Sequence, residues 1–365
     1  MNSKNGTNFF RIGNRKTKLN YVFILGLIQS ILIFPLFAQS NVADVMKAYE
    51  IRISGKDDDA KEILNTVLKK DATNAMAYFE MARTTSDENK VYFIEKALIY
   101  DPDNLMYRFY KANYYMLTAY KAMKTNDPQT LTKNIENCTQ VLKGILELYP
   151  NCKESLLFLV EINGTLPEEM GGNIEEAHSY LKRLKTIDPV YGARGESMLL
   201  SKEADFDIIK YWHKFIETNG ETVDALINLG KANLLKNNID DATLCFNKVL
   251  AIDASQNQLH LDLARAHLYN AMRRDEQTNS ELIKLKKSIN RYLDTKVNQP
   301  VIIKAWCYGW LGKADEILGN KKQARKHFTK AEKLIPDFPK YTAIPVVDHP
   351  PNSKTYTYKS YFTPF

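Results

Sequence analysis

The sequence predicts an all-α protein, built as a solenoid of about eight helical hairpins between an N-terminal signal segment and an extended C-terminal tail. Apolar residues make up 44% of the 365 residues and charged residues 25%, which is sufficient apolar material for a core. Glycine and proline are scarce, at 15 and 13 residues. An apolar pattern with a period of about 34 residues organises most of the chain, and the alternation typical of strands is sparse.

Residues 1–40 have the composition of an export signal. Residues 1–20 are polar and basic, residues 21–37 are apolar, and the small-residue site Ala38-Gln39-Ser40 follows. This order is typical of a secretory signal that is cleaved after residue 40, so we expect a bacterial protein exported to the periplasm or the cell surface. The alternative is an uncleaved anchor in the inner membrane, because about 17 apolar residues are the lower limit for spanning a bilayer. Membrane association is expected only in that case.

The charge balance argues against nucleic acid as a partner. The formal net charge is +7 at pH 7, but five basic residues and no acidic residue lie within the first forty. The rest of the chain has only two more basic than acidic residues. A nucleic-acid-binding domain would carry a dominant basic surface. We therefore expect a protein or peptide partner, and the sequence assigns no oligomeric state.

Two stretches of the chain show the repeat most clearly. Each has a Leu-Gly pair, an alanine twelve residues after the glycine and a phenylalanine four residues after the alanine. They are Leu229-Gly230, Ala242 and Phe246 in residues 223–256, and Leu311-Gly312, Ala324 and Phe328 in residues 305–338. This spacing resembles that of the tetratricopeptide repeat (TPR) family. With the signal segment, we expect a TPR protein of an exported bacterial type.

The resemblance implies a right-handed α-α solenoid. Each repeat of this family is two antiparallel helices, and the small residue of the first helix, here Gly230 or Gly312, lets the backbones approach closely. We expect each glycine to face a small residue of the second helix, Ala242 or Ala324. One hairpin cannot bury its apolar faces alone, so the repeats must stack.

Six further units complete a solenoid over residues 41–338. They are residues 41–74, 75–104, 105–152, 153–191, 192–222 and 257–304. The unit at 105–152 is expanded, which we interpret as a lengthening of both helices. The unit at 192–222 is short and degenerate, and the unit at 257–304 has an insertion around residues 273–280.

Residues 339–365 form a tail that is rich in proline and tyrosine. Its five prolines predict an extended rather than a helical segment. Aromatic residues such as Tyr356, Tyr358 and Tyr361 are numerous for an idle tail. We interpret the tail as a segment that docks on the solenoid or binds a partner, with disorder as the alternative.

The sequence contains no motif of a catalytic or cofactor site. The glycine-rich nucleotide-binding patterns, the nucleophile elbow and the H-E-x-x-H zinc motif are all absent. His260 and His267 are expected on one helical face, but no carboxylate or cysteine is placed to complete a metal site. We interpret both as packing residues, and we predict no enzyme activity, no cofactor and no metal.

The concave face of the solenoid is the candidate binding surface. In TPR proteins the first helices line this groove, as the resemblance implies, and the residue after the small one turns toward it. That residue is basic in four units, and apolar residues are expected alongside. The basic residues are Arg83, Lys231, Arg265 and Lys313, and the apolar ones are Ile227, Leu261 and Trp306. Such a groove suits an acidic peptide or a C-terminal carboxylate, whereas the alternative is a set of ordinary solvated side chains.

These observations predict an exported scaffold that mediates protein–protein interaction through its concave groove. The alternative function is a periplasmic component that binds a small molecule or a sugar between repeats and passes it to a membrane transporter. A partner that copurifies with the chain would favour the scaffold. A ligand that raises the melting temperature without any partner would favour the alternative, because binding to the folded state alone stabilises it.

Overall fold

The computed structural model describes residues 41–85, 87–273, 276–296, 299–335 and 351–352. These residues form sixteen α-helices and no strand. The helices are α1 (41–53), α2 (Asp57–Lys70), α3 (Ala75–Thr84), α4 (Asp87–Tyr100), α5 (Leu105–Lys124), α6 (Pro128–Leu148), α7 (Lys153–Thr165), α8 (Ile174–Ile187), α9 (Pro189–Leu200), α10 (Ile208–Asn219), α11 (Val223–Leu235), α12 (Ile239–Ile252), α13 (Leu259–Ala271), α14 (Thr278–Leu293), α15 (Val301–Ile317) and α16 (Lys321–Leu334).

The sixteen helices follow one another as eight consecutive pairs, which we number as hairpins one to eight, and seven of the pairs pack closely; this arrangement confirms the predicted all-α solenoid. We call the odd-numbered helices first helices and the even-numbered ones second helices. In the first hairpin, Val45 of α1 packs in one apolar cluster with Leu64 of α2. In six others the two helices pack along each other, namely α3–α4, α5–α6, α7–α8, α11–α12, α13–α14 and α15–α16. The exception is α9–α10.

The fifth hairpin begins earlier than the expected residue 192. Asp188 ends α8 and is also the N-cap of α9, where its carboxylate accepts hydrogen bonds from the backbone N–H groups of Val190 and Tyr191. Pro189 is the first residue of α9, a position where a helix needs no N–H donor. α9 packs mainly against α7 and α8, and α10 packs against α11. The Asp-Pro pair therefore starts a helix as well as ending one.

The two irregular units have the expected form. The expanded unit at 105–152 contains the helices α5 and α6, which have 20 and 21 residues, so both helices are lengthened. The insertion expected around 273–280 is the connection between α13 and α14, which end and begin at Ala271 and Thr278. Both expansions leave the order of hairpins unchanged.

The glycines of the repeat motif mark the closest approach of first and second helices. A Cβ atom at Gly230 would lie 2.3 Å from the ring of Phe246, and one at Gly312 would lie 2.7 Å from the ring of Phe328. Glycine is thus required by the phenylalanine ring of the second helix. The expected partners Ala242 and Ala324 are buried, but the rings set the limit on side-chain size.

The solenoid curves until its two ends meet. Gly55, in the turn between α1 and α2, lies so close to Ile335 after α16 that a Cβ atom there would be 3.7 Å from Cγ2 of the isoleucine. Ile335 is buried and packs with Trp306 and Ala331. The first hairpin and the end of the last one are therefore neighbours in space.

The expected signal segment at 1–40 lies outside the described residues. So does the tail at 339–365 apart from Pro351, which is buried, and Asn352, which is exposed. Within the described residues, no helix has the length and apolar character to cross a membrane. The four cysteines are free thiols, and all four are buried.

Candidate functional site

The first helices of neighbouring hairpins lie side by side and contact each other through their side chains. We call the surface that these odd-numbered helices form the first-helix face. Phe79 of α3 stacks on Tyr107 of α5, with 4.4 Å between ring centroids. Further along, the ammonium of Lys153 on α7 lies 4.3 Å from the ring centroid of Tyr191 on α9. All four expected basic residues belong to first helices, but their surroundings differ.

Arg83 lies in the interface between α1 and α3 and does not face an open groove. Its side chain is only 2% exposed, and its guanidinium lies 5.4 Å from the ring centroid of Tyr49 and 5.2 Å from that of Phe79. The buried carboxylate of Glu80 lies 3.3 Å from the guanidinium and accepts a hydrogen bond from Arg52 of α1. Arg83 therefore joins the first two hairpins.

Lys231 and Arg265 meet near the middle of the first-helix face. The guanidinium of Arg265 on α13 donates a hydrogen bond of 2.7 Å to Asp262. The ammonium of Lys231 on α11 is attracted by the same carboxylate and repelled by Arg265 and by Arg194 of α9. Lys231 thus lies within electrostatic reach of one carboxylate and of two other cations, which come from the hairpins before and after its own. We call these four residues the central basic cluster.

Burial of Lys231 lowers its pKa from the ordinary value, and repulsion by Arg194 and Arg265 lowers it further. Attraction by Asp262 opposes the shift without cancelling it. The side chain of Lys231 makes no ion pair or hydrogen bond with another described residue. A lysine ammonium in such surroundings is stabilised by an additional negative charge.

The remaining expected residues lie outside the central basic cluster. The ammonium of Lys313 lies 2.8 Å from the carboxylate of Glu316, one turn later on the same helix. Leu261 is 1% exposed and Trp306 is 7% exposed, and both pack in hydrophobic cores. Ile227 is half-buried against the core of α11 and α12. The apolar set therefore supports the helices more than it lines a groove.

Arg194 is the residue of the cluster that sequence reasoning missed. It follows Gly192-Ala193 just as Lys231 follows Gly230, so the same small-then-basic signal was present. A unit that begins at residue 192 does not place these residues within a first helix, whereas α9 begins at Pro189 and includes all three.

The described residues contain no group of three or more His, Cys, Asp or Glu side chains that could hold a metal ion. His267 lies 2.8 Å from the carboxylate of Glu281 on α14, and His327 of α16 lies 2.9 Å from that of Asp315 on α15. Both are pairs between the two helices of one hairpin. His260 is half-buried, and burial lowers its pKa. These histidines pack between helices or beside them.

Comparison with known proteins agrees with this architecture. Residues 307–338, which span most of the last hairpin, match the family model described as tetratricopeptide repeat. No curated protein matches the chain.

Solved structures of low sequence identity are similar to the chain. One is PilW, a widely conserved type IV pilus biogenesis factor, with 17% identity over 61% of this chain and 92% of PilW and a TM-score of 0.34. Another is the MamA protein, with 17% identity over 61% of this chain and 91% of MamA and a TM-score of 0.26. Yeast Tom70 has 12% identity over 81% of this chain and 76% of Tom70, with a TM-score of 0.32. The consecutive helix pairs and the glycine–phenylalanine contacts agree with the match in the last hairpin, and residues 307–338 are a tetratricopeptide repeat.

Proposed function

We propose that the protein is a scaffold that holds an acidic segment of a partner protein on its first-helix face. The central basic cluster, Arg194, Lys231, Asp262 and Arg265, is the proposed centre of this site. The observation that carries the proposal is the imbalance of charge around Lys231, which is repelled by two cations, Arg194 and Arg265, and attracted by one carboxylate, Asp262. Lys313 and Ile227 would lie at the margin of the site.

A carboxylate of the partner would complete the cluster. Arg265 already has an acidic neighbour in Asp262, whereas Lys231 interacts with that acid only at longer range. An ammonium in surroundings that lower its pKa gains most from a charge-assisted hydrogen bond, because little water competes for it. The peptide chemistry that fits is therefore an Asp or Glu side chain or a C-terminal carboxylate.

We expect Lys231→Met to weaken binding of an acidic peptide by about 10- to 100-fold, which corresponds to the roughly 1.5–3 kcal/mol of one hydrogen bond to a charged group. The probe is a short labelled peptide of glutamate and alanine with a free C-terminus, measured by fluorescence anisotropy. Lys236→Met, at an exposed residue at the end of α11, is the matched control. Binding that Lys231→Met leaves unchanged, or that a glutamine version of the peptide shows equally, contradicts the proposal.

The same substitution should not weaken the fold. Because the folded protein lowers the pKa of Lys231, the ammonium is less favourable there than in the unfolded chain. Lys231→Met should therefore raise the free energy of unfolding at neutral pH. The gain over the native protein should shrink as the pH rises toward the unfolded lysine pKa of about 10.4. If Lys231→Met loses peptide binding while its free energy of unfolding is retained or increased, Lys231 acts in binding and not in holding the fold.

We further propose that the protein is exported from a bacterial cell, with residues 1–40 as the signal. The support is the order of basic, apolar and small residues in that segment. The test is expression of the full chain with a C-terminal tag, followed by cell fractionation and N-terminal sequencing. A periplasmic product that begins near residue 41 supports cleavage. A full-length product in the membrane fraction assigns residues 21–37 as an anchor, and a cytoplasmic product contradicts export.

A further inference from the structure

The outward face of the last described helix, α16, is strongly basic. Six of its fourteen residues are basic, all six are exposed, and none forms an ion pair with another described residue. They are Lys321, Lys322, Arg325, Lys326, Lys330 and Lys333. One acidic residue, Glu332, belongs to the same helix. We call the six basic side chains the α16 basic face.

The stability of the helix does not account for this composition. Acidic residues in the first turn favour the helix dipole, and α2, α8 and α12 all carry them there. α16 instead begins with Lys321 and Lys322 and has no acid in its first turn. Like charges four residues apart also oppose helix formation, and Lys322, Lys326 and Lys330 form such a series.

The terminal position of α16 does not account for it either. The last helix of a solenoid needs a polar outer face for solubility, but a mixture of acidic and basic residues satisfies that need without self-repulsion. The buried side of α16, with Ala324, His327 and Ala331, packs on the preceding helix and leaves the basic side open. α16 therefore carries six basic residues and one acidic residue, although this composition does not favour the helix.

We propose that the α16 basic face docks on an anionic lipid surface. Five of the six basic residues are lysines, whose flexible stems can bring their ammonium groups to one plane although they leave the helix in different directions. The face is about 18 Å long at 1.5 Å per residue. A cluster of this size is typical of electrostatic binding to acidic headgroups. No exposed aromatic side chain lies among the six to stack on bases, as single-stranded nucleic acid would need.

The curvature of the solenoid gives an independent reason for a membrane. The turn at Gly55 lies against Ile335, directly after α16. α1 precedes this turn and has 13 residues within 41–53, or about 20 Å. The basic and apolar stretch of residues 1–37 immediately precedes α1 in the sequence. If residues 21–37 are the uncleaved anchor of the alternative interpretation, that anchor is joined to the end of the molecule that carries α16.

The test uses the full chain and two kinds of lipid vesicle, phosphatidylcholine alone and phosphatidylcholine mixed with phosphatidylglycerol. Any apolar segment that remains on the chain would bind both kinds equally, so the excess binding to the anionic vesicles isolates electrostatic docking. We expect this excess to fall when salt is raised above about 0.1 M, because screening shortens the reach of the charges. Substitution of Lys321, Lys322, Lys326 and Lys333 by glutamine should reduce it by about ten-fold or more.

A matched control removes the same charge elsewhere. Glutamine at Lys182, Lys202, Lys210 and Lys236, which are exposed residues of other hairpins, should leave the excess binding largely intact. Arginine at the four α16 positions should retain it, since a diffuse charged surface does not distinguish the two cations. Circular dichroism checks that each variant is folded. None of the substitutions changes a residue of the central basic cluster. A negative result with vesicles therefore leaves the peptide-binding proposal standing, and the reverse also holds.

Three outcomes would overturn the proposal. The first is equal binding of the native chain to neutral and anionic vesicles. The second is an equal loss in the α16 variant and the control, which would reflect net charge alone. The third is binding of a nucleic acid or an acidic peptide that depends on the α16 basic face while vesicle binding does not. That result would assign the face to a different class of partner.

Discussion

Replacement of Gly230 by alanine will destabilise the protein by about 1–3 kcal/mol, the usual cost of overpacking a well-packed core. The added Cβ would lie 2.3 Å from Cε1 and 2.7 Å from Cδ1 of Phe246, distances at which the ring must move. Phe246 is completely buried among Leu226, Leu229 and Val249. The ring has little room to move, so α11 and α12 must separate.

Gly144 provides the matched control for this substitution. It lies inside α6, and a Cβ there would approach only the guanidinium of Arg108, at 3.9 Å. Alanine is the better helix former by about 1 kcal/mol. Gly144→Ala should therefore raise the free energy of unfolding, whereas Gly230→Ala lowers it. Urea denaturation followed by circular dichroism measures both, and effects of the same sign would contradict the role assigned to Gly230.

The hairpins could be predicted because their pattern depends on neighbours within one repeat. Gly230 and Phe246 are sixteen residues apart, within one hairpin, so the sequence alone carries their spacing. The start of the fifth hairpin was harder to predict, since Asp188 caps both the end of α8 and the start of α9. An Asp-Pro pair can end a helix before a loop or start a new helix at once. The packing of α9 on α8 determines that a new helix starts here.

The surroundings of the expected basic residues could be predicted only in part, because the neighbours of a first-helix residue come from other hairpins. Lys231 and Arg265, both at the position after the small residue, lie within electrostatic reach of each other. The same rule failed for Arg83, whose burial depends on Tyr49 and Arg52 of the preceding first helix. A local spacing cannot show which neighbour covers a side chain.

Asp315 is the residue whose loss should affect the last hairpins most. It lies on α15 with no exposed area, accepts a hydrogen bond from Lys286 of α14 and lies 2.9 Å from Nδ1 of His327 on α16. It thus connects the last two hairpins through one buried carboxylate. Asp315→Ala removes the only acid of this group, and breaking a buried pair in this way costs about 3–5 kcal/mol.

The effect should be local, because a repeat of a solenoid packs mainly on its neighbours and the contact of Ile335 reaches only the turn of the first hairpin. Hydrogen exchange should show α14, α15 and α16 opening in Asp315→Ala while α5 to α8 keep their protection. Glu316→Ala, at the next residue, is the control, since Glu316 is exposed and pairs only with Lys313 among the described residues.

A second substitution tests whether the loss of stability in Asp315→Ala comes from the ammonium of Lys286, which is left without its carboxylate. Lys286→Met in the Asp315→Ala background keeps the apolar stem of the lysine and removes its ammonium. Part of the lost stability should return, because a buried charge without a partner costs more than an apolar group in the same place. If Lys286→Met adds its own loss to that of Asp315→Ala, the carboxylate acts through packing alone. The coupling between the seventh and eighth hairpins must then come from their apolar contacts.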